Sequence, residues 1–191
     1  MNCFDNIEKL FFASTDCVYG ETVPGNKLSE KSPLNPVNIY GRQKAQAETI
    51  VIKHGFTVAR LPYMLGASKT EKRNFYDIIK EKLSSGEQVE MIDGMRRSVL
   101  NYKTVASLLF ALSELDSVPA VINVCGDASY TKYEMGLKLA ERFGADQSIV
   151  RKISEEEGRK FFRDLRASDS TMDNTLLKNI LNLDEIKWEC E

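Results

Sequence analysis

A single histidine, His54, in 191 residues leaves little with which to build a metal site. The four cysteines (Cys3, Cys17, Cys125, Cys190) are scattered, with no Cys-x-x-Cys among them, so neither a zinc cluster nor a disulfide framework is suggested. A reduced, cytosolic protein without structural metal is expected. Positive charge is not in excess either: 26 Lys and Arg stand against 28 Asp and Glu, a net charge of −2. Nothing therefore points to nucleic acid or to a membrane surface. The longest apolar runs, such as Leu108-Leu109-Phe110-Ala111-Leu112, are far too short to span a bilayer. The start, Met1-Asn2-Cys3-Phe4-Asp5, lacks the basic and apolar parts of a secretory leader. What the chain does have is 42% hydrophobic residues, enough for one domain, or one and a half, with a real core.

The apolar run Lys9 to Ala13 has no helical stripe and reads as a buried parallel strand. It leads into Ser14-Thr15-Asp16-Cys17-Val18-Tyr19-Gly20. Hydroxyls at a strand's carboxyl end are placed to bind a ligand, or else to satisfy loop backbone groups. Glu21 to Pro36 is a polar loop holding three of the five prolines, Pro24, Pro33 and Pro36. Such a loop is usually functional or mobile. A helix is expected from about Val37 to His54, closed by His54-Gly55, and a strand over Phe56 to Leu61, stopped by Pro62. Strand, helix, strand makes a βαβ unit with a right-handed crossover. Further on, helices are expected over Arg73–Leu83 and Val105–Leu115, with strands over Val89–Ile92 and Ala120–Cys125. Thr131 and Glu134 form a capping box for a helix to Phe143. The tail carries a charged helix over Glu155–Phe162 and another over Met172–Leu181. The doublet Arg96-Arg97 is either solvated surface or a phosphate contact.

Within the first helix Tyr40 precedes Lys44 by four residues, which puts phenol and ammonium on one face. A nearby cation favours the phenolate, so Tyr40 is expected to titrate below its usual value of about 10 and to exchange protons. The same pair can also be a half-buried tyrosine beside a solvated lysine.

Taken together, Ser14-Thr15-Asp16-x-Val18-Tyr19-Gly20, Pro36-x-x-x-Tyr40-Gly41-x-x-Lys44-x-x-x-Glu48 and Arg60-x-Pro62 resemble the extended short-chain dehydrogenase/reductases. These are the nucleotide-sugar epimerases, dehydratases and reductases, and the likeness is greatest to the dTDP-4-dehydrorhamnose reductase branch. It continues through Asn74-Phe75, the helix after Arg96-Arg97, and Arg166 to Asn174. The resemblance implies an α/β fold, the C-terminal part of a Rossmann-like parallel sheet with a small mixed substrate-binding subdomain. Residues 1–66 and 101–127 would belong to the former, and 67–100 and 128–191 to the latter. It implies NADP or NAD as cofactor and a nucleotide sugar as substrate. Tyr40 would be the general acid, and Lys44 would hold the nicotinamide ribose. Thr15 would bind the substrate carbonyl, with Asp16 beside it. Ser14, Pro62 and Tyr63 would line the cofactor pocket. Asn74, Arg97 and Arg166 would contact the substrate.

Two departures shape the expectation. The sugar 4,6-dehydratases have Thr-Asp-Glu where this chain has Thr15-Asp16-Cys17, and a thiol is a poor replacement for that carboxylate base. Reduction is therefore favoured over dehydration, with epimerisation as the alternative reaction. The family's Gly-rich turn, which seats a pyrophosphate on a helix N-terminus, does not occur here, and Arg166-Ala167 stands where the family has Arg-Pro. The chain is thus expected to be a fragment and inactive alone, or a degenerate, non-catalytic binding module. The Phe11-Phe12 strand would be left as an apolar edge, to be covered by the absent N-terminal segment or by a second copy.

Overall fold

The structure is a computed structural model that describes residues 7–23 and 25–190. Cys3, the N-terminal stretch read above and Pro24 lie outside the described residues. Strand β1 (Phe11–Thr15) is displaced towards the carboxyl side of the expected run and takes in Ser14 and Thr15. A short 3-10 turn (Asp16–Val18) follows. Helix α1 (Ile39–Lys53) starts at Asn38, whose side chain accepts from the Gly41 N–H at 2.8 Å. It closes at His54, whose Nδ1 lies 2.8 Å from the Ile50 carbonyl. Next come β2 (Thr57–Leu61), β3 (Tyr63–Met64), α2 (Phe75–Ser85), β4 (Val89–Asp93), β5 (Arg97–Leu100) and α3 (Tyr102–Ser113). The remainder is β6 (Val121–Asn123), β7 (Ser129–Tyr130), α4 (Lys132–Phe143), β8 (Val150–Ser154), α5 (Glu155–Arg159) and α6 (Thr175–Leu181).

Strands β1, β2 and β6 form a parallel sheet in that order. Phe11 lies opposite Thr57 and Thr15 opposite Leu61. Val58 lies opposite Val121. Every residue of β2 is buried, as suits a central parallel strand covered on both faces. Among the described residues β1 is an edge of this sheet, as the sequence indicated. A second sheet has the order β3-β5-β7, and β4 pairs in parallel with β8. The main core runs between the layers through Leu61, Leu83, Val99, Leu112, Ile122 and Leu139.

The capping box at Thr131 and Glu134 forms as expected. Four short strands, β3, β5, β7 and β8, are absent from the sequence reading. β5 opens on an arginine that reads as surface, and β8 exposes Arg151 and Lys152 side by side, which breaks the alternation. Helix α6 begins at Thr175, later than expected. Before it, Met172 forms a bridge with Leu28, and its N–H donates to Ser98 Oγ at 3.0 Å. The same contacts fix the long polar loop. Thr22 N–H donates to Asp169, Leu28 N–H to Thr171, and Asp173 N–H returns to Leu28. That loop is pinned to the tail at Thr22 and at Leu28.

Helix α1 comes unusually close to the end of β1. A Cβ on Gly41 would lie 2.3 Å from the Cys17 carbonyl oxygen and 2.8 Å from Pro36 Cβ. Alanine in mid-helix normally stabilises by about 1 kcal/mol over glycine. Gly41→Ala is expected to reverse that sign and to destabilise by roughly 1–3 kcal/mol, because a backbone carbonyl cannot step aside. Chemical unfolding of the variant checks this, and a gain in stability would refute the close approach.

Candidate functional site

The carboxyl end of β1 and the first turn of α1 converge. Thr15 is buried; its hydroxyl donates to Asp16 Oδ1 at 3.0 Å and accepts from the Cys17 N–H at 3.3 Å. Tyr40 is 52% exposed, and its hydroxyl faces Thr15. The Lys44 ammonium lies 5.9 Å from the Tyr40 ring centroid and 4.7 Å from that of Phe12. Thr15, Asp16, Tyr40 and Lys44 are therefore brought together.

The electrostatics differ from expectation in one respect. Partial burial pushes the Tyr40 phenol above its ordinary value, Cys17 and Asp16 add to this, and the bond with Thr15 only offsets it in part. The expected lowering by Lys44 is not present, because the ammonium turns away and donates to the Ala13 carbonyl at 2.8 Å. Tyr40 is a protonated phenol across the neutral range. Burial, reinforced by Asp16, likewise drives the Cys17 thiol up to about 11, so it cannot act as a base at neutral pH.

Ser14 was expected to face a cofactor. Its hydroxyl instead points inward and donates to Glu48. Glu48 and Arg60 form a buried ion pair at 2.7 Å, with side chains 2% and 4% exposed. Arg60 Nη1 also donates to Tyr19 Oη at 2.8 Å, and Tyr19 donates to Asn123 Oδ1 at 2.7 Å. This network ties β1, α1, β2 and β6 together beneath the site.

Asn74 is spent as the cap of α2, accepting from Asp77 N–H and donating to the Gly66 carbonyl at 2.9 Å. Pro62 is buried just after β2. Arg97 lies 3.5 Å from Asp16 Oδ2, which also accepts from Ser170 Oγ at 2.7 Å, and it donates to the Ala167 carbonyl at 2.7 Å. Arg166 is exposed and lies over the Phe162 ring at 4.3 Å.

Arg97 and Arg166 line two clefts at once. One, a narrow crevice of about 10 Å³, also touches Cys17, Asn38 and Ser170. The other, of about 30 Å³, holds Tyr63, Lys132 and Phe162 above Met95 and Met135. The two guanidinium groups are thus shared between a crevice at Cys17 and Asn38 and one at Lys132. A cleft of about 210 Å³ at Lys9, Phe11 and Thr57 lies at the opposite ends of the strands. Parallel sheets bind ligands at their carboxyl ends, so that cleft is not the candidate. Sequence reasoning missed Lys132, Ser170 and the Glu48–Arg60 pairing. Glu48 and Arg60 were both in the motif, and a glutamate with an arginine in adjoining buried elements was the signal that they form one unit.

The family model of the RmlD substrate binding domain matches residues 2–191. The beta subunit of methionine adenosyltransferase 2 from Xenopus tropicalis is 29% identical over 154 residues, 77% of this chain and 46% of that protein. The chain spans about half the length of the curated relatives it matches. Among solved structures, a dTDP-glucose 4,6-dehydratase from Bacillus anthracis in complex with NAD superposes with a TM-score of 0.76 at 19% identity. It covers 94% of this chain and 57% of its own. A UDP-glucose 4-epimerase from Thermotoga maritima with UDP-glucose gives 0.74 at 22% identity, covering 94% and 59%. These likenesses show the fold, a partial Rossmann-like α/β arrangement.

Proposed function

This chain belongs to the family of the RmlD substrate binding domain, and from that premise we propose that it supplies the substrate side of an NAD(P)-dependent site that reduces a 4-keto nucleotide sugar. The observation that carries this reading is the convergence of Thr15, Tyr40 and Lys44 at the end of β1, with Arg97 3.5 Å from the neighbouring Asp16. Tyr40 Oη, protonated at neutral pH, gives its proton to the substrate's carbonyl oxygen. Thr15 turns its hydroxyl from Asp16 to the same oxygen. Arg97 and Arg166 take the diphosphate.

The donor set fits a nicotinamide cofactor. The Tyr40 hydroxyl and the Lys44 ammonium are reachable from solvent, and Lys44 has no carboxylate partner among the described residues. Both suit a ribose diol. The cofactor would supply the hydride, and Lys44 would orient it. Thymidine and uridine nucleotides occur in the names of the neighbouring structures and are the first substrates to try. With the protein purified from its native source, NADPH is expected to be consumed in proportion to a 4-keto nucleotide sugar. An epimerase would show no net loss of NADPH. No consumption with any keto sugar would overturn the reading.

A second reading is favoured by the curated relatives, which are named as a subunit of methionine adenosyltransferase. In it the chain is a non-catalytic binding module. Arg166-Ala167, in place of the family's Arg-Pro, also supports it.

A further inference from the structure

Lys132 is the first residue of α4, directly after the Thr131 cap. Its ammonium lies 3.9 Å from the Phe75 ring centroid and 5.0 Å from that of Tyr63, with Tyr63 Oη 3.5 Å away. The groups that face it come from every surrounding element. β3 contributes Tyr63, whose phenol burial pushes up to about 12, so it stays neutral. α2 contributes Phe75. β5 and the tail segment contribute Arg97 and Arg166, both cations. On α4 itself Glu134 is tied to Arg96 at 2.8 Å. No carboxylate pairs with Lys132 among the described residues. The ring faces attract the ammonium, but burial and the two guanidinium groups outweigh them and disfavour the charge. A ligand that brings its own negative charge removes that cost.

We propose that Lys132 is a specificity-determining residue of this cleft, a third cation that with Arg97 and Arg166 selects a ligand carrying a diphosphate. The inference rests on the nucleotide-sugar reading above and assigns a residue which that reading did not contain. Burial, followed by repulsion from Arg166 and Arg97, brings the Lys132 ammonium down to about 8. The empty cleft therefore loses this charge in mildly alkaline solution, while a bound diphosphate holds the proton on. Affinity is then full below pH 8 and falls as pH rises above it. Unlike the catalytic pair, the residue also has a stability signature. Replacing it by an apolar side chain removes an unneutralised charge from the free protein.

The test is calorimetric titration with UDP-glucose, whose diphosphate keeps its two charges throughout the neutral range. Lys132→Met is expected to weaken binding by roughly tenfold to a hundredfold, with an unchanged or raised thermal midpoint. Lys132→Arg is expected to bind like the parent at neutral pH, but with no loss of affinity between about pH 7 and about pH 9. The proposal is overturned if Lys132→Met binds as tightly as the parent. It is also overturned if the parent's affinity does not change with pH, or if the parent does not bind the probe. Failure of the reductase reading looks different: NADPH is not consumed, while the UDP-glucose titrations still follow residue 132.

Discussion

Glu48→Ala is expected to remove about 3–5 kcal/mol of stability, the usual cost of stranding one member of a buried ion pair. Among the described residues Arg60 would keep as hydrogen-bond partners only Tyr19 Oη at 2.8 Å and the Glu30 carbonyl at 3.3 Å, and Ser14 would lose its acceptor. For a domain whose whole stability is about 5–15 kcal/mol, that is a large share. The thermal midpoint should fall by about 10 °C. The double replacement Glu48→Leu with Arg60→Met should recover most of the loss, because it strands neither charge. A single-variant loss below about 0.5 kcal/mol in urea would mean that the pair does not hold the sheet to α1.

Tyr40→Phe should lower turnover by about 10²–10⁴-fold if Tyr40 is the acid. The fold should not notice the change, since the ring is 52% exposed and its packing is untouched. The pH profile carries a sharper expectation. The acid must be protonated, and Tyr40 is shifted above its ordinary value, chiefly by partial burial. No descending limb from this residue should therefore appear below about pH 10. A limb near neutrality would mean that Lys44 acts on the phenol in the working enzyme, as the spacing alone suggested. Unchanged function in Tyr40→Phe would favour the binding-module reading over the enzymatic one.

Local sequence carries some of this site and not the rest. α1 and β2 were legible because Gly55 and Pro62 are strong stops, and β1 because its apolar run has no helical stripe, although the strand runs on through Ser14 and Thr15. Thr131 and Glu134 were legible for the same reason, since a capping box is written within four residues. Lys132, next to them, was not legible. Alone it reads as a solvated lysine at a helix start, and what buries it, Tyr63 and Phe75, comes from distant segments. Ser14 failed in the opposite way. Its place at a strand end pointed to a ligand, but the pleat turns it towards Glu48. Strand β5 was hidden because Arg97 at its start is paired by tertiary contacts with Asp16 and Ala167, which no local pattern announces.

The contact between Lys44 and the Ala13 carbonyl has a mechanical consequence. Thr57 N–H donates to Leu10 O, and Ala13 lies opposite Ala59, so in the alternating parallel ladder the Ala13 carbonyl points to the open side of β1. That oxygen is what an incoming strand needs, and the ammonium already occupies it. Lysine at an edge is a known guard against unwanted pairing. Here the guard is also half of the candidate dyad, so the side chain that shields the open edge of β1 is the one that stands 5.9 Å from the Tyr40 ring.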